Sequence, residues 1–178
     1  QRVQAVRHLL QDQQFVSCVP FGDGGPSSAV GLLLRAAGDA APAPALLDTL
    51  EHLLGLQHPQ TLRYLDSRRG QRRAVRLERQ TTPGDTRAHV QAVLLSGDTR
   101  AEAWLRALVQ DQLPAQEFGL QLLASRATPP AGVAARGKVV CSCFGVTETA
   151  ISAQLADCSG SDGERLAILQ ATLKCGTN

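Results

Sequence analysis

Cys141 and Cys143 stand one residue apart in the run Val139-Val140-Cys141-Ser142-Cys143-Phe144-Gly145-Val146-Thr147-Glu148. Two soft thiolates on one short loop suit iron, zinc or copper(I). A C-x-C spacing alone also fits two small buried hydrophobes, the usual fate of a cysteine with no disulfide. Three neighbouring features favour ligation. The pair follows a strand-like entry at Val139-Val140. It directly precedes a helix start at Thr147, where backbone N–H groups favour negative charge. The segment from 138 onward reads as two short helices with almost no core, and so small a unit is commonly stabilised by a metal centre. The remaining cysteines are Cys18, Cys158 and Cys175, and five cysteines in a chain of 178 residues do not form an even framework. With no signal-like start, this usage points to a reducing cytoplasm.

The second group that could do chemistry is cationic. Arg63, Arg68, Arg69, Arg72, Arg73, Arg76 and Arg79 crowd one stretch, opposed by Asp66 and Glu78. The plain reading is a solvated hairpin. The sharper one is a docking patch, centred on Arg69, Arg72, Arg73 and Arg76, for an acidic electron donor whose field speeds encounter. Nucleic acid is disfavoured, because no aromatic platform accompanies the patch and the net charge is only +2. His8, His52, His58 and His89 show no metal spacing. Gly22-Asp23-Gly24-Gly25 lacks the G-K-[ST] and G-x-G-x-x-G patterns of phosphate loops. Glu51, Glu102 and Glu117 read as surface helix charges. No nucleophile or acid–base pair can be assembled, so no catalytic residue is expected.

These groups need elements to hold them. Apolar residues make up 43% of the chain and aromatics 3%, so the core must be Leu, Val and Ala packing. Residues 1–14 have helical spacing. Phe15–Phe21 and 29–36 read as short apolar strands, the first of them buried, with a Gly/Pro/Ser loop between. Leu46, Leu47, Leu50, Leu53 and Leu54 mark a helix ending at Gly55. Leu62–Tyr64, Ala74–Glu78 and His89–Leu95 form an antiparallel meander with turns at Asp66–Gly70 and Thr82–Asp85, and Val75 and Leu77 alternating with charges predict a strand half open to solvent. Thr99 and Glu102 predict a capping box, as do Ser161 and Glu164; Thr147 is an N-cap, and Gly176 is placed to end the last helix. The expected fold is α+β: a two-layer domain over 1–123 with an antiparallel meander and packed helices, a Pro/Gly/Ala linker over 124–137, and a small helical unit from 138 to 178. No run reaches the length of a membrane span. A chain that opens within a helical pattern and closes within a motif reads as a piece of a larger protein.

Residues 138–178 resemble the bacterioferritin-associated-ferredoxin type of 2Fe–2S domain, in which a C-x-C pair leads into two short helices and a C-x-x-C pair closes the site. The resemblance implies a small helical 2Fe–2S-binding domain with Cys141 and Cys143 as ligands. Lys174-Cys175-Gly176-Thr177-Asn178 looks like the run before the closing pair, so the other two ligands are expected beyond Asn178, and neither Cys158 nor Cys175 matches a ligand position. Residues 60–113 resemble the small α+β domain that ends many flavin-dependent NAD(P)H reductases. The run Leu95-Ser96-Gly97-Asp98-Thr99-Arg100-Ala101-Glu102-Ala103-Trp104-Leu105, with Val30-Gly31-Leu32-Leu33-Leu34-Arg35-Ala36-Ala37 before it, resembles the catalytic subunit of bacterial assimilatory nitrate reductases more than the large subunit of assimilatory nitrite reductase. That resemblance implies a parent that reduces nitrate to nitrite at a molybdenum bis-molybdopterin guanine dinucleotide centre. It also implies a 4Fe–4S relay upstream in the same polypeptide. This chain would be the electron port, fed by a flavoprotein reductase subunit or by ferredoxin or flavodoxin, without nucleic acid or membrane. The corresponding region of a flavin-dependent nitrite reductase, or a non-redox interaction or dimerisation domain, stands as the alternative.

Overall fold

The meander forms in the expected order. In the computed structural model, which describes residues 2–21, 30–79, 87–133, 139–141 and 146–173, β3 (Thr61–Asp66), β4 (Gln71–Arg79) and β5 (Ala88–Ser96) make a three-stranded antiparallel sheet. Upstream lie α1 (Arg2–Leu9), the strands β1 (Phe15–Phe21) and β2 (Gly31–Ala37), and α2 (Pro44–Leu53). Downstream lie α3 (Glu102–Gln110), a 3-10 turn at Gly119–Leu123, β6 (Val139–Cys141), β7 (Val146–Thr147), α4 (Glu148–Ala156) and α5 (Asp162–Leu173). The described residues thus form an α+β fold with antiparallel sheets and five α-helices. The loop at Gly22–Ser28, the turn at Thr82–Asp85, and Cys143, Cys175 and Gly176 fall outside the described residues.

The sheet is covered on both faces, which corrects the expected two layers. Ala74 and Leu94 point to one face, where they pack with Leu56 and with Leu47, Leu50 and Leu54 of α2 and the residues after it. Val75, Val90, Val93 and Leu95 point to the other, against Trp104, Leu105 and Leu108 of α3 and Leu122 of the 3-10 turn. Leu105 and Leu108 are almost wholly buried, and each such leucine contributes about 1.5–3 kcal/mol over an exposed one. β4 is therefore not half open to solvent: Arg73, Ala74 and Val75 are buried in succession. The alternation of apolar and charged residues misleads here because the small Ala74 and an arginine occupy positions that helices cover.

Helix ends follow local chemistry, with one exception. Pro44 opens α2 and Gly55 (φ +71°) follows its end. Thr147 caps α4, its hydroxyl accepting from Ala150 N at 3.2 Å. Ser161 and Glu164 form the expected box: the Glu164 carboxylate accepts from Ser161 N at 2.8 Å, and Ser161 Oγ accepts from Glu164 N at 3.4 Å. Thr99 and Glu102 do not. Ala101 is the N-cap of α3, the Thr99 carbonyl rather than its side chain meets Glu102 N, and the Glu102 carboxylate turns to Arg35 at 2.9 Å. The guanidinium outcompetes the local cap.

β1 and β2 pair antiparallel from Phe15 opposite Ala37 to Phe21 opposite Gly31. The predicted buried strand is instead one arm of a two-stranded ribbon, with Phe15 and Leu32 exposed. The segment read as a linker is tied down over its first part. Trp104 Nε1 donates to the Arg126 carbonyl at 2.9 Å, and Val133 packs into the core beside α3. No helix among the described residues is long and apolar enough to cross a membrane.

Candidate functional site

β6 and β7 pair antiparallel, with Val139 opposite Thr147 and Cys141 opposite Val146. Cys141 is thus the last residue of one arm and is half-buried. Four residues, 142–145, separate it from Val146, and Cys143 lies among them outside the described residues. The second arm runs straight into α4 through the Thr147 cap. Cys141, paired with Val146, therefore stands close in the chain to the N-terminus of α4, where partial positive charge and unshared N–H groups favour an anionic ligand. The described residues contain no group of three or more His, Cys, Asp or Glu side chains that could hold a metal by themselves.

Cys158 lies at the far end of α4, where its sulfur accepts from Gln154 Nε2 at 3.6 Å, and Cys18 sits in β1 opposite Leu34. Both are remote in sequence and in element from the Cys141 loop. Of the histidines, His52 pairs with Gln57 and His89 is buried in β5. α4 and α5 carry no fully buried side chain, and Leu166 and Ile168 face solvent.

The arginines divide into two sets. Arg73 is only 2% exposed, so it cannot belong to a docking patch. Its guanidinium lies over the Tyr64 ring, donates from Nη1 to the Leu123 carbonyl at 2.6 Å, and meets Asp98 at 3.5 Å. Arg72 is also committed inward, to Glu51 at 2.7 Å and Asp48 at 2.6 Å. Burial works against its charge, but hydrogen bonds to Glu51 and Asp48 outweigh that and raise its pKa. Arg76 reaches the Gly55 carbonyl at 3.4 Å and Glu78 at 3.6 Å. Of the four arginines assigned to docking, only Arg69 stands free of the body, 74% exposed, with Asp66 at 3.8 Å.

Two carboxylates were not legible as site residues. Glu51, read as a surface charge, is 3% exposed and holds Arg72 and Arg63. The signal was its spacing: Leu47, Glu51 and Leu54 fall on one helical face. Asp98 accepts from Arg100 Nη2 at 2.7 Å and from the Ser125 hydroxyl, and it faces Arg73. Hydrogen bonds from Arg100 first, then Ser125, hold its carboxyl well below the usual carboxylate range. Gly97 beside it has φ +79°, and a Cβ there would lie 2.5 Å from the Gly70 carbonyl oxygen. Only glycine lets the β5–α3 turn sit this close to the β3–β4 turn.

No protein-family model, curated protein or solved structure matches this chain.

Proposed function

We propose that this chain is an electron-entry unit in which Cys141 and Cys143 ligate a 2Fe–2S cluster. In this reading it is the C-terminal electron-transfer portion of an assimilatory nitrate reductase. The observation that carries the proposal is the placement of Cys141 at the end of β6, with β7 and the Thr147-capped start of α4 returning beside it. A cysteine at a strand end close to a capped helix start supports this reading, and Cys141 is half-buried rather than sealed in a core. A 2Fe–2S cluster supplies one-electron transfer when bound and requires four thiolates, so two further cysteine ligands complete the set. The chain's own residues have narrower tasks. Cys141 and Cys143 bind through sulfur, Val146 helps close the hairpin, and the N–H groups of the first turn of α4 favour the anionic tetrathiolate.

In the same proposal the electrons come from a flavoprotein reductase subunit, ferredoxin or flavodoxin. They pass to molybdenum and 4Fe–4S domains of the parent, in the cytoplasm. The exposed Leu166 and Ile168 on α5 favour, as a second reading, a non-redox interaction module with structural cysteines. Visible absorption separates the two. The protein isolated without oxygen with its parent polypeptide is red-brown and bleaches with dithionite if the cluster is present. A colourless, iron-free protein contradicts the cluster role.

A further inference from the structure

Contacts between turns gather exposed arginines from three separate stretches at one end of the meander. The close approach of Gly97 to the Gly70 carbonyl brings the β5–α3 turn onto the β3–β4 turn. The Asp98 contact with Ser125 brings residues 125 and 126 to the same place. Arg68 and Arg69 therefore share this end with Arg100 and Arg126, and all four are exposed. The carboxylates nearby are already engaged. Asp66 accepts from the backbone N–H groups of Arg68 and Arg69 at 3.1 Å each. Asp98 is saturated by Arg100 and Ser125 and faces Arg73. Asp39, in the segment beside Gly70, bonds Gln14. Arg69 faces Asp66 at 3.8 Å and Arg100 turns Nε and Nη2 to Asp98 and Ser125, so the donors left outward are those of Arg68 and Arg126 and the remaining Nη groups of Arg69 and Arg100.

We propose that this end of the sheet, defined by Arg68, Arg69, Arg100 and Arg126, is a docking surface for an acidic protein. Guanidinium groups bind carboxylates in a bidentate geometry that an ammonium cannot match. Leu65, 67% exposed, adjoins the β3–β4 turn. Arginine beside an apolar or aromatic anchor is the composition of a protein interface. A nucleic-acid surface would carry a longer basic stripe with stacked aromatics, and the Tyr64 ring is already occupied by Arg73. The surface stands on these contacts alone and does not require a cluster at Cys141, so its failure leaves the cluster reading untouched.

The test is fluorescence anisotropy with labelled poly-L-glutamate, over a salt series, with a short DNA duplex as competitor. The variant is Arg68→Glu/Arg69→Glu/Arg126→Glu, which spares Arg100 because Arg100 also holds Asp98. Arg126 contributes its carbonyl, not its side chain, to the Trp104 bond. The proposal predicts binding that weakens with salt and falls roughly tenfold or more in the variant, as expected when complementary charges are reversed. The neutral Arg68→Gln/Arg69→Gln/Arg126→Gln protein falls between, with both variants unfolding at the temperature of the parent chain. Equal poly-glutamate binding by parent and charge-reversed chains overturns it, as does a duplex that binds more tightly than poly-glutamate at matched charge.

Discussion

Arg73 Nη2 lies 3.5 Å from the Asp98 carboxylate, and this one contact joins the central strand of the sheet to the turn that starts α3. The same guanidinium holds the Leu123 carbonyl, while Asp98 holds Ser125. Both residues thus fasten the segment at 123–126 to the body. Trp104 adds a third bond to the Arg126 carbonyl.

Asp98→Ala is expected to loosen that segment first. Removing the carboxylate leaves the buried Arg73 cation without its counter-charge, and stranding a buried polar partner costs about 1–3 kcal/mol. Hydrogen exchange at 123–133 reports the loosening, and unchanged protection there contradicts it. The pH dependence has a definite sign. Because the Asp98 pKa in the fold is depressed below its ordinary 3.8, its contribution is fully present above that value. It is lost only as pH falls further, through the lower folded value. Acid unfolding of the parent and of Asp98→Asn therefore keeps a constant gap from neutral pH to about pH 4, closing only below it.

Glu51→Ala is expected to destabilise by about 3 kcal/mol, the low end for breaking a buried ion pair, because Asp48 still holds Arg72. Asp48→Ala, at a side chain 61% exposed, is expected to cost well under about 1 kcal/mol. Denaturant midpoints compare the two. Equal losses would mean that the burial of Glu51 carries no weight.

Gly97→Ala meets two obstacles at once: a left-handed backbone at φ +79° and a Cβ that would sit 2.5 Å from the Gly70 carbonyl oxygen. A cost of about 1–3 kcal/mol is expected from the strained backbone alone. Because the two turns part, poly-glutamate binding at the arginine end weakens as well. Gly119→Ala is the control: its φ is also positive, but a Cβ there meets nothing within 4 Å. If the two variants unfold together, close packing of the turns is not what fixes Gly97.

What the sequence made legible was local. Period-2 and helical patterns placed the meander and the Leu-rich helix, because those patterns reflect one face against one neighbour. The Thr147 cap and the Ser161–Glu164 box were also readable, since each depends on residues three apart. Long-range pairings were not. Thr99 loses Glu102 to Arg35 from a strand 67 positions away, and Arg73 looks like one more charged residue until Tyr64, Asp98 and Leu123 close around it. For the candidate site, the strand entry at Val139-Val140 and the helix start at Thr147 were visible in the spacing, whereas the return strand β7 was not. A full ligand set cannot be read from two cysteines.

The most direct measurement of the central claim is iron and acid-labile sulfide content across single cysteine variants of the parent polypeptide, isolated without oxygen. Cys141→Ser and Cys143→Ser are each predicted to lose the 2Fe–2S signal, while Cys18→Ser and Cys158→Ser retain it in full. Retention in the first pair, or loss confined to the second, would contradict the assignment of the C-x-C loop as the cluster half-site.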